Sequence, residues 1–122
     1  MPSYAQARPA GAFILTELDR YLSRKTVTLA AGNNLIVGAV IGKLSATGKY
    51  GPYTPGANDG LETAKAILIY AVDASAGDAE AQVIALNANV NGHELEWGSA
   101  TTEDITAGIA HLDDAGVKVL GA

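Results

Sequence analysis

The sequence contains no cysteine. This absence excludes a disulfide framework, a thiolate nucleophile and a zinc site with sulfur ligands. Charged residues are also scarce, at 17% of the chain, against about 25% in an average soluble domain. Small apolar and polar residues must therefore cover much of the surface. Such a surface suits contact with partners, and it is equally common in plain stable monomers.

Basic residues are outnumbered as well, with 8 Lys and Arg against 13 Asp and Glu, giving a net charge of −5. Nucleic acid is not expected as a partner, because phosphate binding needs clustered Lys and Arg. The same sign disfavours an anionic membrane surface, and no apolar run reaches the roughly 20 residues of a spanning helix. The first eleven residues lack the basic and apolar regions of a signal peptide, so export by that route is not expected.

The 122 residues fit one domain, because compact domains cluster near about 100–150 residues. The first twenty or so differ from the rest, since Pro9 and neighbouring small residues interrupt regular structure. We predict a flexible N-terminal arm over residues 1–22 and a single β-rich domain over residues 23–122. An ordinary frayed terminus is the alternative for the arm. The arm carries an apolar cluster that could dock on the domain or on a partner: Phe13, Ile14, Leu15 and Leu18.

Extended segments dominate the remainder. Residues 25–29 alternate polar and apolar, which predicts a half-buried strand with Val27 and Leu29 on one face. Glycines and prolines between residues 45 and 60 predict a long loop. Five other segments have strand-like composition, and the first of these contains glycines that predict a bend or a close backbone approach. They cover residues 35–44, 65–72, 81–90, 93–97 and 117–120.

One segment has the pattern of a helix. Thr101 and Asp104 have the spacing of a capping box, and Gly116 provides a stop. Gly108 weakens the interior, so tertiary packing must hold the helix. One apolar stripe is expected from Ile105, Ile109 and Leu112. The predicted fold class is mainly β with one short C-terminal α-helix.

Candidate chemistry is sparse. On a strand, His93 would face away from Glu94 and Glu96, so these residues would not converge on a metal ion. His111 falls off the apolar stripe and is expected in solvent, and neither histidine has a nucleophile motif beside it. We therefore predict no enzyme, no metal and no cofactor. The acids of the segment 73–80 are interpreted as turn-forming residues: Asp73, Asp78 and Glu80.

Aromatic residues are the remaining candidates for contact. Trp97 is expected in the core. Tyr50 and Tyr53 lie in the predicted Gly/Pro loop, where an interface role and simple loop packing are equally compatible with the sequence.

Several segments together resemble the bacteriophage head decoration protein family of the lambda type. The matching stretches are SRKTVTLAAG at 23–32, LIVGAVIGK at 35–43 and DGLETAKAILIYAVDA at 59–74. The sequence Glu94-Leu95-Glu96-Trp97, followed by the capped helix and a final strand, is also similar. The resemblance covers roughly residues 13–122.

This resemblance implies a β-clip, a bent ribbon or incomplete barrel, that forms homotrimers. It implies a protein made in the host cytoplasm that cements the outer surface of the virion. Trimers would bind the major capsid protein at three-fold sites of the expanded head and stabilise it against internal DNA pressure. The capsid-docking residues implied are those of the arm: Pro9, Phe13, Ile14, Leu15 and Leu18.

The alternative is another phage structural accessory protein or a carbohydrate-binding β-domain. In the latter, Trp97 or Tyr50 would contact the glycan.

Overall fold

The computed structural model describes residues 14–17, 24–86, 88–98 and 100–120. These residues form strands, one 3-10 helix at Gly92–Glu94 and one α-helix, α1, at Thr102–Ala115. The strands are β1 Ile14–Glu17, β2 Arg24–Leu29, β3 Asn34–Leu35, β4 Val40–Lys43, β5 Tyr50–Pro52, β6 Ala66–Leu68, β7 Val72–Asp73, β8 Ala79–Ile84, β9 Ala88–Asn91 and β10 Val117–Leu120. The predicted fold class, mainly β with a C-terminal helix, is confirmed.

Five strands close into a barrel in the order β2-β5-β4-β6-β8. The longest ladder joins β2 and β8, which run antiparallel from Arg24 opposite Ile84 to Leu29 opposite Ala79. A three-stranded sheet, β1-β9-β10, and a two-stranded ribbon, β3-β7, complete the described sheets. The closure between β2 and β5 is a single parallel pair, Leu29 opposite Tyr50.

Two clusters of buried residues form the core. In the first, the inward residues of β2, Val27 and Leu29, pack inside the barrel with Ile41 and Leu68. The predicted alternation of β2 is confirmed. The second cluster lies between the barrel, the three-stranded sheet and α1, and its most deeply buried members include Ile67, Ile84, Val90, Leu112 and Val117.

The apolar runs that suggested long strands are each broken into shorter strands or turns. Residues 35–44 contain β4 but also a turn at Gly38, whose φ of 87° is in the left-handed region. The run 65–72 is split between β6 and β7, and the run 81–90 between β8 and β9. The expected close backbone approach occurs at Gly42, where a Cβ would lie 2.8 Å from the carbonyl oxygen of Thr63.

Two loop and strand predictions are wrong. The predicted loop at 45–60 contains β5, which pairs antiparallel with β4 through Gly51 opposite Gly42. The predicted strand at 93–97 instead begins with the 3-10 helix. The Asn91 side chain caps it by accepting a hydrogen bond from the His93 amide, at 3.0 Å, so the chain turns before an extended segment can form.

The helix begins and ends as predicted. The Thr101 hydroxyl accepts from the Asp104 amide and the Asp104 carboxylate accepts from the Thr101 amide, which completes the capping box. Gly116 ends the helix in a left-handed conformation with φ of 101°. Within the part of the chain that the structure describes, no helix has the length and apolarity needed to cross a membrane.

Candidate functional site

The N-terminal residues predicted to dock are only partly within the described structure. Pro9, Phe13 and Leu18 lie outside the described residues. Ile14 and Leu15 belong to β1, which pairs antiparallel with β9 through Ile14 opposite Val90. The half-buried Ile14 packs against the second core cluster. The chain from residue 14 to 17 is thus a strand of the domain's own sheet, while the docking role of the arm stays a prediction.

Tyr50 and Tyr53, the candidate interface residues, are each only 7% exposed. Tyr50 packs inside the barrel, and Tyr53 belongs to the second core cluster. The Tyr53 hydroxyl donates a hydrogen bond to the carbonyl oxygen of Asp104, at 2.8 Å. Burial, and next the nearby Asp104 carboxylate, raises the pKa of Tyr53 above its usual value. Both side chains therefore offer little surface to a partner, and their interface role stays a prediction.

An aromatic cluster fixes α1 against the barrel. Tyr53 meets the half-buried Trp97 edge to face, with ring centroids 5.9 Å apart, and meets His111 in the same way at 6.1 Å. Gly108 faces this cluster, and a Cβ there would lie 2.5 Å from the Trp97 ring and 3.0 Å from the Tyr53 ring. The glycine that appeared as a weak point of the helix is the position that lets two rings approach the backbone.

His111 is not in solvent as the sequence indicated. It is half-buried, and its Nδ1 accepts a hydrogen bond from the backbone amide of Ala64, at 3.1 Å. His111 thus links the helix to the segment that leads into β6. Among the described residues, no group of three His, Cys, Asp or Glu side chains could hold a metal ion.

Two of the acids assigned to turns do organise turns. Asp73 accepts hydrogen bonds from the amide and the hydroxyl of Ser75, which lower its pKa. Asp78 forms an ion pair with Lys49, with Nζ and Oδ2 2.6 Å apart, and accepts from the Ala31 amide at 2.8 Å. The Lys49 contact and then the Ala31 hydrogen bond lower the pKa of Asp78. These carboxylates tie loops together at the surface, as expected of structural turns.

A shallow cleft of about 290 Å³ opens beside the aromatic cluster. Its walls come from the residues after β5 and from the segment that precedes α1, and they are Pro52, Tyr53, Thr54, Pro55, Gly98 and Ala100. Among the described residues that line the cleft, the titratable side chain is Tyr53, whose hydroxyl donates to the Asp104 carbonyl oxygen.

Sequence reasoning missed a different surface feature, the exposed large apolar side chains. They are Ile36 at 49%, Tyr70 at 46%, Leu86 at 43% and Leu120 at 39% exposure. Ile36 and Tyr70 lay within runs interpreted as buried strands, and their exposure follows from the breaks in those runs. Residue patterns give no signal for such breaks, so only the fold reveals this surface.

A comparison with protein families matches residues 3–117 to the model of bacteriophage lambda head decoration protein D. The chain belongs to this family. The resemblance stated from the sequence is thereby confirmed. A comparison with curated proteins found no match to the chain.

The head decoration family defines the general role of the chain. Its members are structural proteins of the phage capsid and are not known as enzymes. The chain is therefore a viral structural protein with a role in capsid decoration, and membership indicates a location in the virion.

Proposed function

We propose that this chain forms homotrimers that bind the expanded phage head at its three-fold sites and stabilise it against the pressure of the packaged DNA. The observation that carries this proposal is the match to the head decoration family over nearly the whole chain, residues 3–117. The low content of charged residues is compatible with a surface that is later covered.

The proposed contact with the major capsid protein is the arm, residues 1–22. Its apolar residues would bind by adding an extended segment to the capsid surface, which is a general mode of strand-based recognition. Three arms on one trimer would bind neighbouring capsid subunits together, so that contacts weak on their own become strong through effective concentration. The outer surface of the virion is the location that this mechanism requires.

The described fold shows where an arm deletion should end. Because Ile14 packs on the core and pairs with Val90, removal of residues 14–17 would also damage the three-stranded sheet. Deletion of residues 2–13 spares β1. The deleted chain should stay folded and trimeric but lose binding to expanded, undecorated capsids in a co-sedimentation assay.

A matched control replaces residues 2–13 with a Gly/Ser sequence of equal length. If the side chains of residues 2–13 make the contact, the replacement should bind as poorly as the deletion. Imaging of capsids mixed with the parent chain should show added density at three-fold positions. Undiminished binding by the deleted chain would refute a docking role for residues 2–13, which include Pro9 and Phe13, and density at other positions would refute the three-fold site.

A further inference from the structure

Asn91 differs from the other asparagines of the sequence in the residue that follows it. It is the one asparagine whose next residue is a glycine, Gly92. An asparagine deamidates when the backbone nitrogen of the next residue attacks its side-chain carbonyl carbon. A glycine at that position has no Cβ to hinder the attack or to restrict the backbone rotation that the attack needs. The intrinsic reactivity toward deamidation is therefore highest at Asn91.

The fold holds Asn91 in an unreactive conformation. Its backbone is extended, with ψ of 111°. This angle turns the Gly92 nitrogen away from the Asn91 side chain, whereas closure of the five-membered ring requires a negative ψ. The side chain is also occupied, because its oxygen accepts a hydrogen bond from the His93 amide at 3.0 Å. Reaction thus requires the junction between β9 and the 3-10 helix to open.

That junction lies at one end of the three-stranded sheet. Within β9, Ala88, Asn89 and Val90 pair with β1 on one side and with β10 on the other. Among the described residues, Asn91 pairs with Leu120 of β10 alone. The end of a strand opens by local fraying at a lower free energy than the whole domain unfolds. Asn91 is therefore placed where such opening is easiest in β9.

We propose that Asn91 is a site of spontaneous deamidation in the folded protein, and that local opening of the junction between β9 and the 3-10 helix sets its rate. On opening, the Gly92 nitrogen bonds to the side-chain carbon of Asn91, and its proton passes through solvent to the leaving ammonia. Water then opens the resulting succinimide ring at one of its two carbonyl carbons. The products are aspartate and isoaspartate, and in the latter the main chain runs through the former side chain. This inference is independent of the proposed trimer and of capsid binding.

The two products differ in their effect on the fold. Aspartate keeps an oxygen that can accept from the His93 amide, and it adds one negative charge to the net charge of −5. Isoaspartate adds a carbon atom to the main chain ahead of Glu96. Glu96 is fixed, because its amide donates to the Gly38 carbonyl oxygen at 2.8 Å and its carbonyl oxygen accepts from the Val40 amide at 3.1 Å. The added atom must therefore displace β9 or Glu96, so the isoaspartate product should unfold at a lower urea concentration than Asn91→Asp.

The test follows deamidation by peptide mass mapping while the full chain is incubated in mildly alkaline buffer, beside the same chain unfolded in urea. Electron-transfer fragmentation distinguishes isoaspartate from aspartate. Asn91 should convert before every other asparagine, and about tenfold or more slowly in the folded protein than in the unfolded chain. In the unfolded chain, Gly92→Ala should slow the conversion, because the added methyl group hinders the attack.

A chain that ends at Val119 tests the role of local opening. It lacks Leu120, the β10 partner of Asn91, so conversion in the folded protein should be about fivefold faster than in the parent. Leu120→Ala is the matched control, since it keeps the backbone partner and should convert at the rate of the parent. Urea unfolding checks that the shortened chain is folded. Hydrogen exchange on the parent needs no variant: the His93 amide should exchange faster than the Val90 amide.

Equal conversion rates in the folded protein and the unfolded chain would overturn the proposal, because the fold would then not control the reaction. A first conversion at another asparagine would overturn it as well, as would a folded protein that stays unconverted over many half-lives of the unfolded chain. Local opening would be excluded by an unchanged rate in the folded shortened chain, or by equal exchange of the His93 and Val90 amides.

Discussion

At the scale of single residues, Gly108 shows how a locally unfavourable choice is required by packing. A glycine inside a helix costs roughly 1 kcal/mol relative to alanine. Here the missing Cβ leaves room for the Trp97 ring, which would otherwise be 2.5 Å away, and for Tyr53. The same two rings hold each other edge to face. Gly108 lowers the helix propensity of α1, but it allows α1 to pack closely against the barrel.

The variant Gly108→Ala tests this balance. Overpacking costs about 1–3 kcal/mol and alanine regains roughly 1 kcal/mol of helix propensity, so the free energy of unfolding should fall by up to about 2 kcal/mol in urea titrations. Gly77→Ala is the control, because a Cβ at Gly77 would meet no atom within 4 Å. That variant should be neutral or slightly stabilising. Equal stability of Gly108→Ala and the parent would show that the rings move aside freely.

A second residue-scale prediction concerns Asp78 and pH. Its contacts with Lys49 and the Ala31 amide favour the ionised carboxylate and lower its pKa in the folded state. The stability that these contacts supply is thus present above the unfolded-state pKa, about 4, and is lost as the pH falls through the lower folded-state value. The advantage of the parent over Asp78→Asn should be constant above about pH 5 and shrink in more acidic solution.

Urea unfolding at a series of pH values measures this difference. Lys49→Met removes the larger cause of the lowered pKa and leaves the carboxylate in place. The difference in unfolding free energy between the parent and Lys49→Met should also shrink as the pH falls, as it does for Asp78→Asn. A parent advantage that grows as the pH falls would have the wrong sign and would contradict the assignment.

At the scale of elements, the sequence predicted those strands and helices whose pattern is compatible with a single secondary structure. Alternation identified β2, and the Thr101 cap with Gly116 delimited α1, because both depend on neighbouring residues alone. Strand β5 could not be predicted, since a Gly/Pro-rich segment becomes a strand only when Gly42 and Gly51 bring two backbones together. The 3-10 helix depends on the hydrogen bond that the Asn91 side chain accepts from the His93 amide. The residue types in this segment equally favour a strand, so they do not predict the helix.

The candidate site was less predictable than the fold for the same reason. Exposure of Ile36 and Tyr70 arises where apolar runs break, and burial of Tyr53 arises from contacts with α1, 51 residues away at Asp104. Both are long-range properties of the closed barrel. A sequence pattern gives the apolar character of a residue but not the element against which it packs.

The link between α1 and the barrel provides an element-scale prediction at His111. His111→Ala leaves the amide of the fully buried Ala64 without its acceptor, which should cost about 1–3 kcal/mol of unfolding free energy. Asn places an oxygen close to the position of Nδ1, whereas Gln places it closer to Nε2. His111→Asn should therefore be more stable than His111→Gln in urea titrations, although Gln is the better helix former. The reverse order would show that the hydrogen bond contributes little.

At the scale of the whole molecule, acidity and self-association oppose each other. In the proposed trimer, copies with a net charge of −5 each would have to come together against their mutual repulsion. A subunit contact built from ion pairs would weaken when salt is added, because screening reduces their attraction. A contact built from apolar side chains has no such attraction to lose, so screening acts on the repulsion alone.

The salt dependence of the proposed trimer therefore distinguishes an ion-paired subunit contact from an apolar one. Between about 20 and 300 mM salt the Debye length falls from roughly 20 Å to 6 Å, which removes most repulsion between distant acids. The trimer dissociation constant, measured by sedimentation equilibrium, should fall by a factor of a few over this range. Sodium chloride serves as the salt, because sulfate would also strengthen apolar contacts directly. A dissociation constant that rises with sodium chloride would instead indicate a subunit contact held by ion pairs.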